Sequence, residues 1–247
     1  MTARSAGVGE QSALVDPVDS LPSLSDRVYR ALKRSIVDRR LKAGSKLSVP
    51  RLATQLNVSR TPVKEALERL AQDGLVMTLP NRGAFVAILN PSDVDEIYQM
   101  REVLEGLATR LASARMDGEL GVRLRDLLRQ GEAAVSRSDI DEHIRIDLEF
   151  HRLIRERAGN GRLIRSLDML QDQVRIVFRT SAAIPSRMSK ALEEHGSILD
   201  ALEAADPDRA ERAARNHIRR IREAVLNHMR GVRPEGAAVE DGATDGT

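Results

Sequence analysis

The sequence predicts a mainly α-helical protein: a winged helix-turn-helix at the N-terminal end, followed by an all-α antiparallel bundle of six helices. Three observations carry this expectation. In NVSRTPVKEALERL (57–70), Val63, Ala66, Leu67 and Leu70 stand at i, i+3, i+4 and i+7, one apolar stripe on a helix. Two short apolar runs follow, 75–79 and 84–88, around a Pro-Asn-Arg-Gly turn. Beyond residue 90 every segment has a helical period, punctuated by Gly118, Gly159-Asn160, Pro185 and Asp206-Pro207.

With 247 residues and 41% hydrophobic content, the chain has enough apolar material for two domains. The expected divisions are a disordered tail over 1–21, a winged helix-turn-helix domain over 22–89, a helical domain over 90–230 and a disordered acidic tail over 231–247. No run approaches the roughly 18 apolar residues of a membrane span, and MTARSAGVGEQSA lacks the apolar core of a secretory signal, so a cytoplasmic protein is expected. Zero cysteines exclude disulfides, thiolate metal sites and cysteine nucleophiles. Three Phe and two Tyr supply no stacking platform for single-stranded nucleic acid.

The net charge of +2 conceals a division: residues 22–88 carry 13 Lys and Arg against 5 Asp and Glu, a net +8, which leaves −6 for the rest. A basic module joined to an acidic remainder fits a polyanion-binding domain attached to a domain with different work.

Taken in order, Ser25 to Leu41 places Val28, Leu32, Ile36 and Val37 at helical spacing. Ala43-Gly44 ends that helix, Pro50 to Leu56 forms a second, and Asn57-Val58 turns into the third, a helix-turn-helix spacing. The third helix is expected to begin at Thr61, with Thr61 as cap and Pro62 in the first helical position. Ser59, Arg60, Thr61 and Lys64 then crowd the end that enters a major groove, and the hairpin after Gly74 forms a wing with Arg82 and Gly83 at its tip, where Arg82 meets a minor groove or a phosphate. Asn90-Pro91-Ser92 starts the bundle, with Ser92 as cap and Asp93, Asp95 and Glu96 in the first turn. Helices are expected over 92–115, 119–136, 139–158, 160–182, 186–205 and 207–230.

Asp147 and His151 stand at i and i+4 and so project from one face, while His195 and His217 lie near the middles of the last two helices. Three helices can bring this O,N,N,N set to one buried point, a donor set suited to Zn, Ni, Mn or Fe. Each histidine taken singly is more simply a packed or solvent-facing residue. His143 drifts off the Asp147 face, and His228 is about 16 Å along the helix from His217, so both are assigned to surface or packing.

LNVSRTPVKEALERLAQDGLV followed by PNRGAFVA resembles the winged helix-turn-helix signature of the GntR family of bacterial transcription regulators, over about residues 25–88. Family members usually open the second helix with an acidic-Arg-acidic triplet whose Arg meets DNA. Here Val49, Pro50 and Arg51 stand there, which displaces Arg51 by one position, about 100° around a helix. Lys64 replaces the commoner Arg, a point charge in place of a bidentate fork. The resemblance adds Arg51 to the DNA-contact set.

IYQMREVLEGLATRLA, IRIDLEFHRLIRERAGN and EEHGSILDALEAADPDRAERAARNHI resemble the FCD ligand-binding domain of the FadR-type branch. In metal-binding members an Asp-x-x-x-His pair and two later His hold a divalent ion. These match Asp147, His151, His195 and His217, with zinc expected first and nickel or manganese as alternatives. Four protein ligands on a six-coordinate ion leave two positions for a small organic acid. The resemblance also singles out Arg101 as a partner for that acid's carboxylate, with a surface ion pair to Glu105 as the other assignment.

The implied function is a homodimeric, metal-containing regulator, a repressor released from a palindromic double-stranded operator by its acid effector. Two rival classes stand beside it. A metal with open positions can activate water in an enzyme acting on a small carboxylate, although no GxSxG or HExxH accompanies it. Alternatively, the helical half only dimerises and its histidines are structural.

Overall fold

The computed structural model describes residues 22–182, 184 and 186–231. Among them the chain forms α1 (Leu24–Val37), β1 (Lys46–Leu47), α2 (Val49–Leu56), α3 (Arg60–Gln72), β2 (Val76–Leu79), β3 (Gly83–Val86), α4 (Pro91–Ser113), α5 (Gly118–Ser136), α6 (Ile140–Ala158), α7 (Gly161–Ala182), α8 (Arg187–Glu203) and α9 (Pro207–Gly231). The tails expected over 1–21 and 231–247 lie outside the described residues apart from Gly231, which ends α9.

Ser23 and Asp26 close a reciprocal capping box at the start of α1. The helix stops at Val37, four residues before the expected Leu41, because Arg39 enters the left-handed region at φ 57°. Asn57, also left-handed at φ 52°, ends α2 and turns the chain into α3. That helix starts at Arg60 with Ser59 at the cap position, so Thr61 lies inside the first turn and is not the cap. Pro62 is therefore the third helical residue, where a missing N–H still removes no intrahelical bond.

Val28, Leu32 and Ile36 of α1 share a core with Val63, Ala66, Leu67 and Leu70 of α3, all buried. Each large apolar side chain buried this way contributes about 1.5–3 kcal/mol. The sheet order is β1-β3-β2 with both pairings antiparallel, Met77 opposite Phe85 and Lys46 opposite Phe85 on the other side. β1 escaped the sequence because two residues carry no period. Asn81 at φ 59° and Gly83 at φ 94° turn the hairpin.

Asn90, not Ser92, caps α4: its Oδ1 accepts from the N–H of Ser92 at 2.8 Å and of Asp93 at 3.0 Å, and Asp93 accepts from Asn90 N–H at 2.8 Å. Pro91 at the first helical position forces this choice, since the residue before proline is held extended. α4 and α9 lie antiparallel, with Asp95 paired to Arg222 at 2.7 Å near one end and Arg110 to Asp208 near the other. Gly106 permits the approach, because a Cβ there would lie 2.6 Å from Arg215 Cγ.

The two halves touch. Leu89 packs against both the α1–α3 core and the core containing Val94, Val174 and Val225. Lys33 of α1 pairs with Asp172 of α7 at 2.5 Å, and Gln173 Nε2 donates to the carbonyl of Asp73 at 2.8 Å.

Candidate functional site

The helical period of α6 turns Asp147 and His151 inward on the face that also buries Ile146, Phe150 and Ile154. α8 adds His195 and α9 adds His217, each from mid-helix, and all four side chains are buried. The ligand atoms of the four lie within 4.8 Å of one another. The three Nε2 atoms form a near-equilateral triangle: 3.2 Å between His151 and His217, 3.3 Å between His195 and each of the others. A point equidistant from them is about 1.9 Å from each, close to the roughly 2.0–2.1 Å of a zinc–imidazole bond. Asp147 Oδ1 completes the set, 3.4 Å from His195 Nε2.

Electrostatics favour the protonation states that a cation needs. Burial holds His151 and His195 well below the usual imidazole range, which favours their neutral form. Burial also pushes Asp147 up, a cost that an adjacent cation offsets. His217 Nδ1 donates to Glu194 at 2.8 Å, which leaves its Nε2 a bare lone pair facing the other two rings. Three imidazole nitrogens turned on one another with a buried carboxylate beside them fit a divalent metal ion.

The surrounding shell adds Glu194, Arg187 and Phe150, which no sequence pattern had marked. Burial alone would raise Glu194, but the bonds from His217 and Arg187 bring its carboxyl down to about 2. Arg187 forks onto Glu194 with both terminal nitrogens. Glu105 Oε2 lies 3.7 Å from His151 Nδ1, and Phe150 stacks on His195 at 4.4 Å between centroids. Glu194 was hidden by its place: one step from His195 in EEHG, it lies 100° around the helix and belongs to no repeat of the ligands. The only available signal was an acidic residue beside a candidate ligand.

Arg101 is 1% exposed, so the expected surface pairing is corrected: it does pair with Glu105, at 3.4 Å, but inside the protein. Its Nε and Nη1 have no hydrogen-bond partner. Buried guanidinium N–H groups without acceptors are costly, and a carboxylate is the kind of acceptor that suits them. His143 is buried beside this region rather than on the surface, its imidazole held down by burial, and it stands outside the four-residue set. His228 is exposed near the end of α9.

At the other end of the molecule Arg51, Ser59, Arg60, Thr61, Lys64, Arg82 and Gly83 are all exposed. Arg60 and Thr61 stand in the first turn of α3, Lys64 one turn on, and Arg82 with Gly83 at the hairpin tip. Ser59 makes no capping bond through its side chain. These are free donors and cations on a helix end and a wing.

The comparisons with known proteins agree with both halves. Residues 24–86 match the family described as bacterial regulatory proteins, gntR family, and residues 96–220 match the FCD domain. The HTH-type transcriptional repressor RspR of Escherichia coli (strain K12) is 30% identical over 205 residues, 82% of this chain and 89% of the relative. The Nta operon transcriptional regulator of Aminobacter aminovorans is 32% identical over 190 residues, 76% of this chain and 88% of the relative. Among solved structures, E. coli McbR/YncC superposes with a TM-score of 0.71 at 26% identity, covering 85% of this chain and 100% of that one. The first is named a transcriptional repressor and the second a transcriptional regulator. No helix among the described residues is long and apolar enough to cross a membrane. A basic winged helix-turn-helix joined to a six-helix domain, matched over both parts, makes this chain a member of the GntR family of bacterial transcription regulators with an FCD domain.

Proposed function

We propose that this chain is a cytoplasmic, homodimeric, metal-holding repressor whose grip on a palindromic operator is released by a small organic acid. The observation that carries the sensing half is the convergence of Asp147, His151, His195 and His217 on one buried point. The bound ion, zinc first and nickel or manganese otherwise, supplies a Lewis-acidic anchor for the effector's oxygen atoms. Arg101, with two free N–H groups, takes the carboxylate.

The reading half spans 22–89, with Arg60, Thr61, Ser59 and Lys64 for base edges and phosphates and Arg82 with Gly83 on the wing. Arg51, exposed on α2, supplies a phosphate contact. For the dimer, Met100, Val103 and Leu107 form an exposed apolar stripe at i, i+3 and i+7 on α4, 55%, 53% and 38% exposed, a face suited to a second copy. RspR is named a repressor, which supports the same sign of control here.

The test is fluorescence anisotropy with duplex DNA from upstream of the chain's own gene at moderate salt, with and without a chelator, beside a thermal-shift screen of small carboxylates. Specific binding, together with a carboxylate that raises the melting temperature only when metal is present, supports the proposal. Absence of duplex binding, or metal content far below one ion per chain in protein purified without chelator, overturns it.

A further inference from the structure

Helix α7 touches the sensing network with one residue and the reading half with the next two. Gln171 is buried, and its side-chain oxygen accepts from Arg155 Nη1 at 3.2 Å. Arg155 Nη1 also reaches Glu105 Oε1 at 3.4 Å, the same oxygen that Arg101 Nη2 approaches at 3.4 Å, and Glu105 Oε2 faces His151. Asp172 pairs with Lys33 at 2.5 Å, and Lys33 continues to Tyr29, whose hydroxyl donates to Asp73 at 2.5 Å. Gln173 donates to the carbonyl of Asp73, the residue that caps the C-terminal end of α3. One turn on, Arg175 stands 3.6 Å from Asp38, just past the end of α1.

Gly74 fits this junction. At φ 71° it holds a backbone conformation that L side chains rarely adopt, and a Cβ there would lie 2.5 Å from Gln173 Nε2. The end of the recognition helix is thus shaped to admit a side chain from α7.

We infer that α7, through Gln171, Asp172 and Gln173, is the lever that couples the effector chamber to the recognition helix. The inference rests on the functional reading above and adds to it the route of control. Consecutive residues on a helix are fixed about 100° and 1.5 Å apart. A shift of α7 that follows Gln171 therefore moves Asp172 and Gln173 with it. The sensing end is left partly unsatisfied: Arg155 Nε, Gln171 Nε2, Arg101 Nε and Nη1 and Glu105 Oε2 are buried without hydrogen-bond partners. An anion entering among them competes for the same guanidinium groups and rearranges the bond that Gln171 accepts. At the far end, loss of the Lys33 pair and of the Gln173 bond loosens the hold of the helical half on α1 and the end of α3. A loosened reading head pays an ordering cost on the operator. By linkage the route runs both ways.

A double-mutant cycle tests this. Arg155 and Lys33 share no partner, and the bonds named above link them through α7, so Arg155→Lys, Lys33→Met and the double variant are compared in operator affinity by anisotropy. Amide exchange at Gly74 and Leu75 is followed in the same proteins. Each single change is expected to weaken operator binding about fivefold or more. The double variant should lose markedly less than the product of the two factors, and Arg155→Lys alone should speed exchange at Gly74. If Arg155→Lys does not fold by circular dichroism, Gln171→Asn takes its place on the sensing side. Factors that multiply, or exchange at Gly74 unmoved by the sensing-side change, overturn the lever. Wild-type protein that ignores duplex DNA would instead overturn the functional reading, a separate outcome.

Discussion

Glu194 accepts the Nδ1 proton of His217 at 2.8 Å while Arg187 forks onto the same carboxylate, so an ion pair in the outer layer decides which nitrogen of an inner ring is bare. Such partners set both ring orientation and basicity. Glu194→Gln is therefore expected to weaken zinc affinity about tenfold, and Glu194→Ala up to about a hundredfold. Competition with a chromophoric chelator measures both, and unchanged affinity in the alanine variant would remove Glu194 from the site.

Removing the metal should destabilise the helical half. A cation would bind only the folded arrangement of residues that lie up to 70 positions apart, Asp147 to His217. Free zinc at about a hundred times its dissociation constant adds about 2.7 kcal/mol. Calorimetry with and without chelator is expected to show a lower melting temperature for the stripped protein, restored on adding back zinc.

On the DNA side, Arg60→Ala should cost about 1–3 kcal/mol of operator binding, roughly five- to 150-fold, with zinc content unchanged. Lys64→Ala should lower the slope of log affinity against log salt if it meets a phosphate. Footprinting by Arg60→Ala at the wild-type concentration would exclude Arg60 from base contact.

Asp26 makes the reading half acid-sensitive. The Arg69 guanidinium at 2.6 Å, aided by Ser23, holds its carboxyl at about 2 against an ordinary 3.8. A depressed folded value means stability that is present above pH 3.8 and lost as pH falls toward 2. Asp26→Asn should flatten urea-derived stability across that window while leaving its slope at higher pH alone.

Leu70, fully buried between α1 and α3, should cost about 2–5 kcal/mol when changed to Ala. Denaturant unfolding of the full chain reads it, and a change below about 1 kcal/mol would contradict the packing described.

What was legible followed from periodicity. The stripe Val63, Ala66, Leu67, Leu70 located α3, and the spacing Asp147 to His151 put two donors on one helical face that His195 and His217 then meet. Helix ends were less legible, because a cap is chosen by local competition. Asn90 won over Ser92 since Pro91 fixes the residue before it as extended. Arg101, Arg155 and Glu105 were illegible as interior residues, since charge in a sequence predicts a wet surface and only the fold shows that these groups face one another. The α7 contacts with Lys33 and Asp73 join positions far apart in the chain, which no window of sequence relates.

The three imidazoles of one triangle come from helices that begin at residues 140, 187 and 207, in a protein with no cysteine. An ion seated there would work as a rivet, tying distant stretches together much as a disulfide does in secreted proteins, yet without a thiol and reversibly. The supply of that ion would then set how long a newly made copy survives proteases, before any metabolite is sensed.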